Sequence, residues 1–166
     1  MRTQTDMNLG TRGALAFRLG DFWFGVRVEE AAGLIDAERL APLPGQSGPL
    51  VGVAAFRGEM VPVIDLAAFL GVERPAGSGR GYALVLVRGG ERFGILIPKL
   101  PRLVPARDLR EATVSTGDPE LGALIESALQ AGSVQIHCLN YWRIFESIIP
   151  AAGSIDSSRA SSERGI

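Results

Sequence analysis

The sequence predicts a mainly β protein built as two similar small barrels. Three observations carry this. Gly 21 and Pro 10 together make up about 19% of the 166 residues, against about 12% in an average chain, which favours many short elements joined by tight turns. Three pairs of apolar, β-rich runs each flank a two-residue link containing glycine. The chain also repeats itself weakly, since Phe24-Gly25-Val26 returns as Phe93-Gly94-Ile95.

The first hairpin joins Ala14–Leu19 to Phe22–Val28 through Gly20-Asp21. The second joins Leu50–Phe56 to Glu59–Asp65 through Arg57-Gly58. The third joins Tyr82–Arg88 to Glu91–Ile97 through Gly89-Gly90. In each link a glycine can adopt the positive φ that a two-residue hairpin demands. Pro62 lies inside the fourth run and cannot donate to a ladder, so that strand is at an edge or bulged there.

Helices are short. Asp65 can cap Leu66–Leu70, and Gly71 ends that turn. Asn140 can cap Tyr141–Ser147 in the same way. Asp118-Pro119-Glu120 opens a helical run predicted to reach about Gln130, with Leu121, Leu124, Ile125 and Leu129 on one face.

The segments Val63 to Leu70 and Cys138 to Phe145 both read as strand, capping residue and apolar helical turn. With the Phe-Gly repeat this predicts two β units, roughly residues 20–71 and 82–150, joined by Arg74–Arg80. Each length fits a small barrel of five or so strands. Residues 1–13 and the Ser-rich 151–166 are expected to be disordered, which leaves 14–150 as the folded domain.

Composition excludes several function classes. Lys+Arg 17 against Asp+Glu 18 leaves no whole-chain charge to attract nucleic acid or an anionic membrane. One His and one Cys cannot build a Cys/His metal site or an internal disulfide. No apolar stretch approaches the ~18 residues of a membrane span, and no signal peptide opens the chain. The expectation is a cytoplasmic protein with no membrane insertion, metal or cofactor.

Candidate chemistry is sparse. Gly77-Ser78-Gly79-Arg80-Gly81 leads into a strand, not a helix N-terminus, so it reads as a linker and not a phosphate cradle. Gly45-Gln46-Ser47-Gly48 lacks the nucleophile-elbow pattern. His137 and Cys138 are adjacent on a strand and face opposite sides, so they do not form a catalytic pair. Cys138 is expected in the core, and His137 toward solvent or a groove. Nothing nominates a general acid or base, and no catalytic residue is assigned. Arg57-Gly58 stands out. Its arginine is either a solvated turn residue or a protruding protein contact.

One resemblance decides between those readings. The run Phe17 to Val26, then Leu43-Pro44, then Val51-Gly-Val-Ala-Ala-Phe-Arg-Gly-Glu-Met-Val-Pro-Val-Ile-Asp-Leu66, closed by Phe69-Leu70-Gly71, resembles the CheW family of chemotaxis coupling proteins. Its hallmark is a strand, an Arg-Gly turn and a strand ending Pro-Val-x-Asp-Leu. The match continues more loosely through 82–97 and 138–145.

The resemblance implies two five-stranded SH3-like barrels on a shared core. It also implies a non-catalytic adaptor between the cytoplasmic tip of a chemoreceptor and the regulatory domain of a CheA-type histidine kinase. Arg57 and Gly58 would belong to the receptor-contacting surface, with Val28, Ala31, Val61 and Val63 as apolar contributors or as core. Two departures stand out. Gly33 occupies the place of a family glutamate, and Pro98 interrupts a Val-Asp-x-Val stretch. They leave open a regulator of a non-flagellar chemosensory pathway, for pili or surface motility, that binds only one partner. An enzyme of unknown type is the alternative from another class.

Overall fold

The structure is a computed structural model and describes residues 13–44, 48–73 and 79–148. The expected disorder at both ends, most of the 74–80 linker and the Gly45–Ser47 loop therefore lie outside the described residues, apart from Gly13 and residues 79–80.

Among the described residues, eleven strands form two sheets. They are β1 (Ala14–Leu19), β2 (Phe22–Arg27), β3 (Ala31–Asp36), β4 (Leu50–Phe56), β5 (Glu59–Ile64), β6 (Tyr82–Arg88), β7 (Glu91–Ile97), β8 (Arg102–Val104), β9 (Arg110–Ala112), β10 (Ile125–Ala131) and β11 (Val134–Leu139). Helices α1 (Leu66–Leu70), α2 (Pro119–Leu124) and α3 (residues 141–148) follow β5, β9 and β11. Single 3-10 turns occupy Val28–Glu30, Ala37–Arg39 and Ala106–Asp108.

One sheet has the order β8-β1-β2-β11-β10-β9 and the other β3-β6-β7-β5-β4. The two are variations on one plan. In each, a hairpin joins a second hairpin through a parallel contact, His137 beside Phe24 in one and Ile64 beside Ile95 in the other. The first sheet has six strands, one more than expected. In the second, a single bridge from Ala41 to Val53 stands where β9 stands in the first.

The repeat extends to the caps. Asp65 Oδ1 accepts from the Ala68 amide at 3.2 Å, and Asn140 Oδ1 accepts from Arg143 at 3.1 Å. The Asp65 amide donates to Pro49 just before β4, and the Asn140 amide to Leu124 just before β10.

The sheets do not divide the chain into 20–71 and 82–150. The hairpin that opens each sequence repeat crosses over. β1 and β2 pair with β8–β11, and β6 and β7 pair with β3–β5. The repeats seen in the sequence are real, but their barrels are interlocked.

This crossing places the core. Each sheet encloses a small cluster of its own. One holds Ile35, Ala54, Val61, Val63, Ala83 and Val85. The other holds Ala14, Ala16, Leu109, Leu129, Ile136 and Cys138. A larger shared cluster includes Phe24, Ile64, Leu84, Phe93, Ile95 and Trp142. On β6, Ala83 and Val85 face one cluster while Leu84 and Leu86 face another, so an unbroken apolar run is buried on both sides. Trp142 and Phe145 of α3 close over Phe93, with ring centroids 4.9 and 4.3 Å away.

One local expectation changes and another is sharpened. The helical run from Asp118 stops at Leu124, and Ile125–Ala131 is a strand. Pairing with both β11 and β9 outweighs the helical spacing of Ile125 and Leu129. Pro62 sits in a strand that is interior by order, yet pairing with β7 starts only at Val63. At Pro62 the strand is locally an edge, and the missing N–H leaves no gap in a ladder.

Candidate functional site

The β4–β5 hairpin ends in Arg57 and Gly58, with φ of 50° and 80°. Positive φ at both positions is the mark of a type I′ turn, which favours Asn-Gly. Arg57 is the sole non-glycine residue with positive φ among the described residues. The other three hairpin tips put glycine at the same place, as Gly20, Gly89 and Gly132, at 59–60°. Gly132 is the counterpart of Arg57 in the other sheet. A left-handed conformation costs an L-residue roughly 1–2 kcal/mol, which glycine avoids. Backbone geometry alone argues for glycine or asparagine here, so the reason for arginine lies in its side chain.

That side chain is exposed but held. Its guanidinium carbon lies 4.9 Å from the centroid of the Phe56 ring. Its Nη2 donates to the Ala32 carbonyl at 3.4 Å. The contact carries Arg57 from the tip of β4–β5 to the start of β3, so the outer strands of that sheet meet. Arg92 braces the hairpin's stem by pairing with Glu59 at 3.1 Å.

The structure brings some expected residues together and separates others. Ala31, half-buried, opens β3 next to the carbonyl that Arg57 grips. Val28, also half-buried, begins the 3-10 turn that leads into β3. Of the two readings open for Val61 and Val63, contact or core, the structure takes the core. They are 1% and 0% exposed, inside their own sheet's cluster, and offer nothing to a partner. The opposite face of β5 carries Met60, 62% exposed. Strand periodicity pairs Val61 with Val63 but does not say which face is outward.

Other surface features carried no sequence signal. Phe56 supports the arginine. Leu34, exposed on β3, joins Asp36, Glu38, Arg39 and Phe56 in an open groove beside the tip. On the other sheet, edge strand β8 exposes Leu103, and Leu100 just before it is also exposed. Pro98 is buried, and its backbone lies close against Gly81.

His137 and Cys138 face opposite sides, but His137 is buried, not facing solvent. It lies 5.9 and 6.2 Å from the rings of Phe22 and Phe24, with no hydrogen-bond partner on Nδ1. Burial holds its pKa below the ordinary 6.5 and pushes the Cys138 thiol up to about 11. A neutral thiol and a neutral imidazole on opposite faces cannot act as a nucleophile pair. Among the described residues no three or more His, Cys, Asp or Glu side chains gather as metal ligands. Among them, too, no helix is long and apolar enough to cross a membrane.

Comparison with known proteins matches this architecture. The CheW-like domain model covers residues 13–147. The chain belongs to the CheW-like domain family. Protein FrzA of Myxococcus xanthus is 29% identical over 133 residues, covering 78% of this chain and 82% of that protein. A probable chemotaxis protein CheW of Rhizobium etli is 25% identical over 130 residues, covering 78% and 81%. Protein PilI of Pseudomonas aeruginosa is 36% identical over 59 residues, 36% of this chain and 33% of that protein. The crystal structure of the scaffolding protein TtCheW from Thermoanaerobacter tengcongensis shares the fold. Its TM-score is 0.61 at 16% identity, with 78% of this chain and 89% of that one covered. The chain is thus a CheW-like protein of the adaptor and scaffold type, with two SH3-like β units.

Proposed function

We propose that this chain is a cytoplasmic, non-catalytic adaptor that couples chemoreceptor tips to the regulatory domain of a CheA-type histidine kinase. The Arg57-Gly58 tip is its receptor contact, with Val28 and Ala31 as apolar contributors. One observation carries this reading: an arginine holds, at an exposed tip, the strained backbone position that glycine holds at every comparable hairpin. Family membership supports the adaptor role. The buried, uncharged state of Cys138 and His137 speaks against an enzyme built on them.

The test is co-sedimentation of the purified chain with receptor signalling domains and kinase. Binding to both, with receptor binding weakened by Arg57→Ala, is the expected result. No receptor binding, or no response to Arg57→Ala, overturns the receptor contact. Titration with the kinase's regulatory domain tests the other half separately.

A second reading is a regulator of a pili or surface-motility pathway that binds only one of these partners. Gly33 favours it, since the family's glutamate is absent where β3 borders the Arg57 tip. Binding to one partner alone in the same two experiments is the expected result on this reading, and binding to both overturns it.

A further inference from the structure

Gly33 lies in the middle of β3, and its φ is not positive, so no turn accounts for a glycine there. Space does. A Cβ on residue 33 would stand 2.8 Å from both Cε1 and Cζ of Phe56, closer than such carbons approach. The Phe56 ring therefore rests against bare backbone. The guanidinium of Arg57 covers that ring at 4.9 Å and bonds the carbonyl of Ala32, the residue before Gly33. Residue 33 thus meets the Cε1–Cζ edge of the ring while the guanidinium lies over the ring, so glycine, ring and guanidinium are in contact in series.

We propose that Gly33 is a positioning residue: by admitting the Phe56 ring onto β3 it fixes the Arg57 guanidinium to receive an oxygen acceptor, a carboxylate or carbonyl, from the partner. This rests on the reading of Arg57 as a partner contact. A guanidinium has five N–H donors in a planar fork, and one is spent on Ala32. The ring covers one face, so an acceptor approaches in the plane, along the remaining donors. An arginine ordered before binding gives up less rotamer freedom when the partner arrives. The other sheet has no such device, because its tip reads Ala131-Gly132-Ser133 and carries neither ring nor cation.

The experiment compares the full chain with Gly33→Ala, Phe56→Leu and Arg57→Lys. Nitrogen-15 relaxation of the Arg57 Nε–H in the free protein reads side-chain order, with the signal assigned by its loss in Arg57→Lys. Affinity for the receptor signalling domain and for the kinase's regulatory domain is measured alongside. An ordered Nε–H is expected in the parent chain. Gly33→Ala and Phe56→Leu should mobilise it and weaken binding about two- to fivefold, the range of an exposed cation–π contact. Arg57→Lys should weaken binding at least as much, since lysine keeps the charge but loses the fork.

Parent-like order and affinity in Gly33→Ala, with binding lost in Arg57→Lys, overturns the positioning role and leaves the contact standing. Parent-like binding in Arg57→Lys and Arg57→Ala overturns the contact, and the relaxation data still decide whether Gly33 orders the arginine. If Gly33→Ala does not fold, Phe56→Leu decides alone, because it removes the same ring without crowding β3.

Discussion

The Tyr141 hydroxyl donates a 2.8 Å hydrogen bond to the carbonyl of Gly25, 116 residues earlier in the chain. The tyrosine opens the helix that closes the second repeat, and the glycine lies in the crossed-over hairpin. The bond is buried, so losing the donor takes a partner from a carbonyl with little access to water. Tyr141→Phe should cost about 1 kcal/mol in urea unfolding at neutral pH, with the fold retained. A loss near zero would mean that the β1–β2 ladder already satisfies that carbonyl.

The same region should make the protein sensitive to alkali. Burial raises the Cys138 thiol from 9.0 to about 11, and burial also raises the Tyr141 hydroxyl well above 10.0. For both groups the folded state favours the protonated form. The stabilisation from Cys138 is complete below pH 9 and is lost as pH rises through 11. Tyr141 continues the loss above pH 10. Cys138→Ala should abolish the part between pH 9 and 11, up to about 3 kcal/mol, measured by urea titration at stepped pH. An unchanged slope in that variant would place the alkaline loss elsewhere.

Acid acts through His137. Desolvation between Phe22 and Phe24 lowers its pKa below the unfolded value of 6.5. The unfolded chain therefore takes up the proton first. Stability is complete above pH 6.5 and falls as pH drops through the folded pKa. His137→Leu should flatten this limb between pH 7.5 and 5.5. It also removes an unpartnered buried Nδ1 and should not destabilise the protein at pH 7.5 by more than about 1 kcal/mol.

The two Phe-Gly repeats should differ in tolerance. A Cβ at Gly25 would stand 2.6 Å from Cγ2 of Ile136, a stiff β-branched neighbour. At Gly94 the nearest atom is Cγ2 of Val63 at 3.1 Å. Gly25→Ala should cost about 1–3 kcal/mol, and Gly94→Ala clearly less, by urea unfolding of each. Equal costs would show that the two parallel seams are packed alike.

Local chemistry made much of this fold legible. Gly20-Asp21, Arg57-Gly58 and Gly89-Gly90 announce their hairpins because a positive φ leaves few residue choices. Asp65 and Asn140 announce their helices because a cap must accept an amide. The crossing of the hairpins was not legible, because pairing between distant strands leaves no local mark. Ile125–Ala131 deceived for a different reason: Asp118-Pro119 starts a real helix whose apolar spacing runs on through Ile125 and Leu129, and this outweighed the Gly132-Ser133 turn that joins the strand to β11. At the candidate site, Arg57 was readable from its turn. The role of Phe56 was not, since it depends on Gly33 lying across from it in space.

Arg57 itself offers the cleanest separation of stability from function. Arg57→Asn creates Asn-Gly, the pair best suited to a type I′ turn, and relieves roughly 1 kcal/mol of left-handed strain. The lost stacking on Phe56 costs about 0.5–1 kcal/mol at an exposed site. The two terms nearly cancel, so the urea midpoint should move by less than about 1 kcal/mol in either direction. Partner binding should nonetheless fall as it does for Arg57→Ala, because asparagine supplies neither the charge nor the fork. A variant that folds as well as the parent and binds poorly would show that the strain is kept for the contact. A variant destabilised by several kcal/mol would show the opposite, that the guanidinium's hold on Ala32 and Phe56 is structural and that the barrel depends on it for closure.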